Sequence, residues 1–106
     1  MQLWKLTRLI RSKNAGPFEL TFDIIFKDVR SYEWVRDLDL LNPKFFSGIY
    51  GVPEDAVQVI QYPAANAIKV TIPRLIVSGD RGDSDVYGGQ QHGPLVNIEI
   101  PEMSLR

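Results

Sequence analysis

Between Phe18 and Phe26 a large apolar side chain falls on every second residue, namely Phe18, Leu20, Phe22, Ile24 and Phe26, with Glu19, Thr21 and Asp23 between them. A strand sends alternate side chains to opposite faces, whereas a helix brings them round about every 3.6 residues. The run therefore commits this segment to a half-buried strand, and some other apolar surface must cover its face.

The rest of the chain supplies that cover. Val29, Tyr32, Val35, Leu38 and Leu41 recur at helical spacing with Trp34 beside them, which predicts a helix laying one stripe on the sheet. Asn42 is placed to cap a second helix, because Pro43 at its first position loses only an amide that had no partner. Phe46, Ile49 and Tyr50 are its expected buried side, and Gly51 its left-handed end. Strands are expected at about residues 56–62 and 66–72, the second with Ile68, Val70 and Ile72 on one face and Lys69 and Thr71 on the other. Tyr62-Pro63-Ala64-Ala65 leaves room only for a reversal, so these two strands should pair antiparallel. Val96, Ile98 and Ile100 predict a last strand ended by Pro101, with a loose tail from Glu102. Leu3, Leu6, Leu9 and Ile10 fit a short helix or an irregular strand over residues 2–10, and Arg11 to Pro17 reads as a polar loop closed by Gly16-Pro17. The predicted fold is α+β: one small domain over residues 1–106, with about four mostly antiparallel strands and helices on one face. A ferredoxin-like sandwich without its second helix is the nearest architecture, and its other sheet face would stay available to a partner.

Charge and composition narrow the partners. Twelve basic and thirteen acidic residues among 106 give a formal charge of -1. No basic stripe is present to neutralise phosphates, so no nucleic-acid partner is expected. Without cysteine there is no disulfide, thiolate nucleophile, iron–sulfur cluster or cysteine zinc site, and a reducing compartment fits. Lys5, Arg8 and Arg11 interrupt the N-terminal apolar residues, leaving neither a signal-peptide core nor a bilayer span. The expectation is a cytoplasmic chain without a membrane partner.

Two segments are richer than connections require. Arg11-Ser12-Lys13-Asn14 places two cations, a hydroxyl and a carboxamide ahead of a strand, where they could hold a carboxylate or phosphate by charge-assisted hydrogen bonds. A solvated turn accounts for the same residues. Residues 78–94 hold five glycines and three aspartates without periodicity, long for a structureless loop in so small a domain. Here Asp80, Asp83, Asp85, Tyr87, Gln90, Gln91 and His92 gather acid, phenol, amide and imidazole groups. His92 is the only histidine and suits general acid–base work, although a lone histidine near a Gly-Pro turn is more often a hydrogen-bonding surface residue. A calcium loop counted from Asp80 fails, since its sixth position is Asp85 rather than glycine and its twelfth Gln91 rather than glutamate. Asp83, Asp85 and His92 leave a lone metal site open without specifying one. Arg81-Gly82-Asp83 matches an adhesion tripeptide by chance. Phosphate-cradling glycine motifs and a nucleophile elbow are both missing.

These segments carry a resemblance. Through Arg11-Ser12-Lys13-Asn14-Ala15-Gly16-Pro17-Phe18, Lys69-Val70-Thr71-Ile72-Pro73-Arg74, Ser78-Gly79-Asp80 and Asp85-Val86-Tyr87-Gly88-Gly89-Gln90-Gln91-His92-Gly93-Pro94-Leu95, nearly the whole chain resembles a bacterial family of small proteins of unknown function. That family is encoded beside proteins like the acyclic-terpene-utilisation protein AtuA. AtuA-like proteins end in a domain of similar length, held to be ferredoxin-like, that begins Arg-Ser-Gly-Asp-Lys-Gly. The stretch from Arg11 to Gly16 looks like a variant of that motif without its aspartate. The resemblance implies a split enzyme, with an AtuA-like large subunit and this chain as the small subunit of an oligomer. Its implied field is hydration or dehydration of branched or hydroxylated carboxylic acids or their CoA thioesters, with cofactor unspecified.

Three readings follow. In the first, a site-completing subunit turns its two loops to an interface through Arg11, Ser12, Lys13, Asn14, Lys69, Arg74, Tyr87, Gln90 and Gln91. In the second, a lyase or hydratase uses His92 with Asp80 or Asp85 while Arg11 and Lys13 hold a carboxylate, although one domain of this length hardly encloses a substrate. The third is a stand-alone binding or sensing module for an acidic metabolite.

Overall fold

The computed structural model describes residues 1–74 and 93–103. The period-two run is strand β2, Glu19–Phe26, whose Leu20, Phe22, Ile24 and Phe26 are buried. Phe18 falls outside it and is 62% exposed, because the chain is still turning there: Ala15 N–H donates to the Glu19 carbonyl at 3.0 Å, and Gly16 takes φ +98°, a conformation that favours glycine.

That turn is shorter than the expected loop. Arg11 to Asn14 belong to strand β1, Thr7–Asn14, which pairs antiparallel with β2. Among the described residues β1 is an edge strand, and edges carry charge where central strands carry apolar runs, so it lacked the alternation that announced β2. Before it, a 3-10 turn at Leu3–Leu6 buries Leu3 and Leu6.

Helix α1, Val29–Leu38, starts where the Asp28 side chain accepts the Ser31 N–H at 2.8 Å. It stops at Asp39, whose φ of +51° breaks the ladder before the expected stripe reaches Leu41. Helix α2, Pro43–Tyr50, has the predicted ends: Asn42 Oδ1 accepts the Phe45 N–H at 2.8 Å, and Gly51 is left-handed. Both helices lie on the apolar face of the sheet, with ring centroids 6.0 Å apart for Phe26 and Tyr32, 5.7 Å for Phe22 and Phe46, and 4.9 Å for Phe22 and Tyr50. Ile49, expected inside, is 38% exposed.

Strand β3, Gln58–Tyr62, reverses through the 3-10 turn Pro63–Ala65 into strand β4, Ala67–Pro73, its antiparallel neighbour as expected. The sheet order is β1-β2-β4-β3, antiparallel throughout. The fold is thus α+β. The β2, helix, β3 crossover with β4 between its strands is the ferredoxin-like half, but the edge beside β2 is filled by β1. The predicted last strand is absent from that place. Gly93–Val96 is instead one helical turn, α3, and Glu99 makes only an isolated bridge to Gln2. Its alternation survives in burial, with Val96 and Ile98 half-buried and Ile100 buried in the same cluster as Leu3, Leu6 and Leu95, and Leu3 N–H donates to the Ile98 carbonyl at 2.8 Å.

Candidate functional site

With α1 and α2 on one side, the outward side chains of the sheet form three cross-strand rows on the other. Register aligns Leu9, Ile25, Ala67 and Tyr62 in the first, Arg11, Asp23, Lys69 and Ile60 in the second, and Lys13, Thr21, Thr71 and Gln58 in the third. The face is therefore graded along the strands from apolar to cationic. Leu9 is 40% exposed, Ile60 42% and Tyr62 44%, while Thr21 and Ala67 on the same face are buried and Val96 of the C-terminal helical turn approaches Leu9.

The charged row is tied at its centre. Arg11 Nε donates to Asp23 Oδ2 at 2.9 Å, with the Asp23 side chain 18% exposed, while Lys69 stands opposite Asp23 on the other flank. A single acid thus sits between two cations. As a partly screened pair this salt bridge contributes under about 1 kcal/mol to stability, so the arrangement says more about what the face presents than about what holds the fold.

Strand geometry divides the predicted Arg11-Ser12-Lys13-Asn14 group. Arg11 and Lys13 point to the open face, while Ser12, opposite Phe22, and Asn14, opposite Leu20, lie on the helix-covered side, Ser12 being buried. The four do not converge on one ligand. Lys69, predicted separately, joins Arg11 and Lys13, whereas Arg74 joins Asn14, donating from Nη1 to Asn14 Oδ1. The Arg74 N–H also donates to the Phe18 carbonyl at 2.7 Å, so the strand-end of β4 is fastened to the β1–β2 turn.

Asp80, Asp83, Asp85, Tyr87, Gln90, Gln91 and His92 lie outside the described residues. Among the described residues no cluster of acids and histidine could hold a metal ion, and no helix is long and apolar enough to cross a membrane. Trp4, Thr7, Arg8, Leu9, Ile10 and Val96 line an open hollow of about 340 Å³. Sequence reasoning missed it, because its walls come from the N-terminal turn, the edge strand and α3. It also missed Leu9, Ile25, Ile60 and Tyr62 as surface residues; the outward parity of Lys69 and Thr71, carried across to their β3 partners, could have found Ile60.

Neither a curated protein nor a solved structure matches this chain. A family profile does, over residues 3–99, and so nearly from end to end the chain belongs to the family described as Domain of unknown function (DUF4387).

Proposed function

We propose that this chain is the small subunit of a hetero-oligomeric metabolic enzyme, completing a site on an AtuA-like large subunit that hydrates or dehydrates branched or hydroxylated carboxylic acids or their CoA thioesters. The carrying observation is the one-sided sheet: helices cover one face, while the other leaves Leu9, Ile60 and Tyr62 between 40% and 44% exposed. Leu9 and the pair Ile60 and Tyr62 lie on opposite edge strands with half-buried Ile25 and buried Ala67 between them, and apolar side chains left exposed across a sheet face support an interaction site. The open hollow at Trp4 is near the small end of ligand pockets, about 300 Å³, and lacks their enclosure, which favours a site completed by a second chain. In the assembled enzyme, Arg11, Lys13 and Lys69 supply cationic surface at the junction and His92 with Asp80 or Asp85 the acid–base chemistry.

Co-purification of the tagged chain from its native host, with mass spectrometry of what accompanies it, tests this reading. A stoichiometric AtuA-like large subunit is the expected result. Recovery of the folded chain alone would overturn it and leave a stand-alone module that binds an acidic metabolite. With the complex in hand, His92→Ala should abolish turnover of acyl-CoA substrates and leave the assembly intact; loss of the assembly instead would make His92 a structural contact.

A further inference from the structure

We infer that the open sheet face docks onto a protein surface of specified chemistry: an apolar ridge against the Leu9, Ile25, Ala67 and Tyr62 row, flanked by Asp and Glu side chains against Arg11, Lys13 and Lys69. This rests on the subunit reading above and names the chemistry of the partner. On the second and third rows three cations stand against Asp23, and with Glu19 outward at the start of β2 the open face keeps one positive charge in excess, on a chain whose formal net charge is -1. Basic charge is thus concentrated where apolar residues are also exposed. Asp23 holds only Arg11 among the ion pairs of the described residues, and Lys13 extends from an exposed position in the edge strand.

Charge also selects among occupants. A second copy stacked row on like row would set Arg11, Lys13 and Lys69 against the same three cations, and like charges brought together at an interface oppose association; a copy turned about the apolar row would separate the cations but bring them no acid from the facing rows. A phosphate backbone would meet the cations but leave the apolar row hydrated and unmatched. A bilayer needs side chains that project into it, whereas this row lies in a pleated sheet with Ile25 half-buried and Ala67 buried. An acidic protein surface with an apolar ridge satisfies both parts of the face. The ridge supplies burial, and the acids supply orientation and faster encounter.

The test uses the full chain, tagged and recovered from its native host, treated with a zero-length carbodiimide that joins a lysine amine to a carboxylate. Amide links from Lys13 or Lys69 to Asp or Glu of another polypeptide are expected. A Lys13→Glu/Lys69→Glu variant should retain the same partner about tenfold less or worse, while Lys27→Glu/Lys44→Glu, an equal charge change at exposed positions outside the sheet, should retain it fully. Ile60→Ser removes exposed apolar surface from the face without setting a charge beside Lys69, its register partner, and should also lose the partner. Retention by both face variants overturns the inference, as do links running only to acids of this chain or of a second copy, or recovery on anionic vesicles with no protein bound. The subunit reading is judged separately by the partner's identity. An AtuA-like chain kept by the face variants would sink the docking face alone, and an unrelated acidic partner lost by them would sink only the subunit reading.

Discussion

Phe46 and Phe18 look equivalent as aromatic residues in apolar patterns, and the structure separates them. Phe46 is fully buried, its ring 5.4 Å from Phe45 and stacked at 6.0 Å on Tyr50, whereas Phe18 is 62% exposed in the β1–β2 turn. Phe46→Ala removes a large core side chain and leaves a cavity, so it should cost about 3–5 kcal/mol, a large part of the roughly 5–15 kcal/mol that holds a typical domain. Phe18→Ser should stay within about 0.5 kcal/mol. Urea unfolding of both variants checks this, and a large loss at Phe18 would mean that the turn is packed. At this scale local signals were legible: Asn42, Pro43 and Gly51 cap α2 as their chemistry dictates. Burial of individual apolar residues was less so, because Phe18, Val29 and Ile49 follow the right period yet stand at the ends of their elements, where the partner surface has run out.

At the scale of elements, β1 and the C-terminal segment mark where pattern stops being informative. β1 alternates Arg11 and Lys13 with Ser12 and Asn14, polar on both faces, so only its pairing with β2 makes it a strand. The segment from Val96 to Ile100 alternates correctly but lies across the N-terminal turn, because β1 occupies the edge it would have taken. Where an element's end is set locally, its energetics can be predicted locally. The Ser31 N–H, and to a lesser extent Lys27 and Arg30, hold the Asp28 carboxyl below its ordinary value. Asp28→Ala should therefore destabilise the protein by about 0.5–2 kcal/mol at neutral pH, and Asp28→Asn, an equivalent cap, by far less. A depressed folded-state value stabilises above the unfolded value of about 3.9, and that part of the stability is lost as pH falls through the folded value. The wild-type advantage over Asp28→Asn should accordingly shrink on acidification. Denaturation midpoints from neutral to acid pH test the sign; an advantage that grew on acidification would show that Asp28 is not held by its cap.

Across the whole molecule, the core draws on both ends of the described chain. Leu3 and Leu6 before β1, Leu95 in α3 and Ile100 after it, and Phe22, Phe46 and Val70 between them belong to one buried cluster. Backbone bonds from Leu3 N–H to the Ile98 carbonyl at 2.8 Å and from Ile100 N–H to the Met1 carbonyl at 2.6 Å close the ends on each other, and Trp34 Nε1 on α1 donates to the Pro101 carbonyl at 2.8 Å. A molecule tied in this way should lose its N-terminal turn, C-terminal segment and helices together, since none has a core of its own. The two tryptophans sit at the right places to test it, Trp4 in the N-terminal turn and Trp34 on α1. Single-tryptophan variants, Trp34→Phe to read Trp4 and Trp4→Phe to read Trp34, should each give the same urea midpoint by fluorescence as by far-ultraviolet circular dichroism. The slope should also agree, at about 1–3 kcal/mol per molar urea for a small domain. An earlier transition seen only from Trp4 would mean that the terminal clasp opens as a separate unit, and Ile100→Ala would then act on that first step alone instead of lowering the midpoint at both reporters.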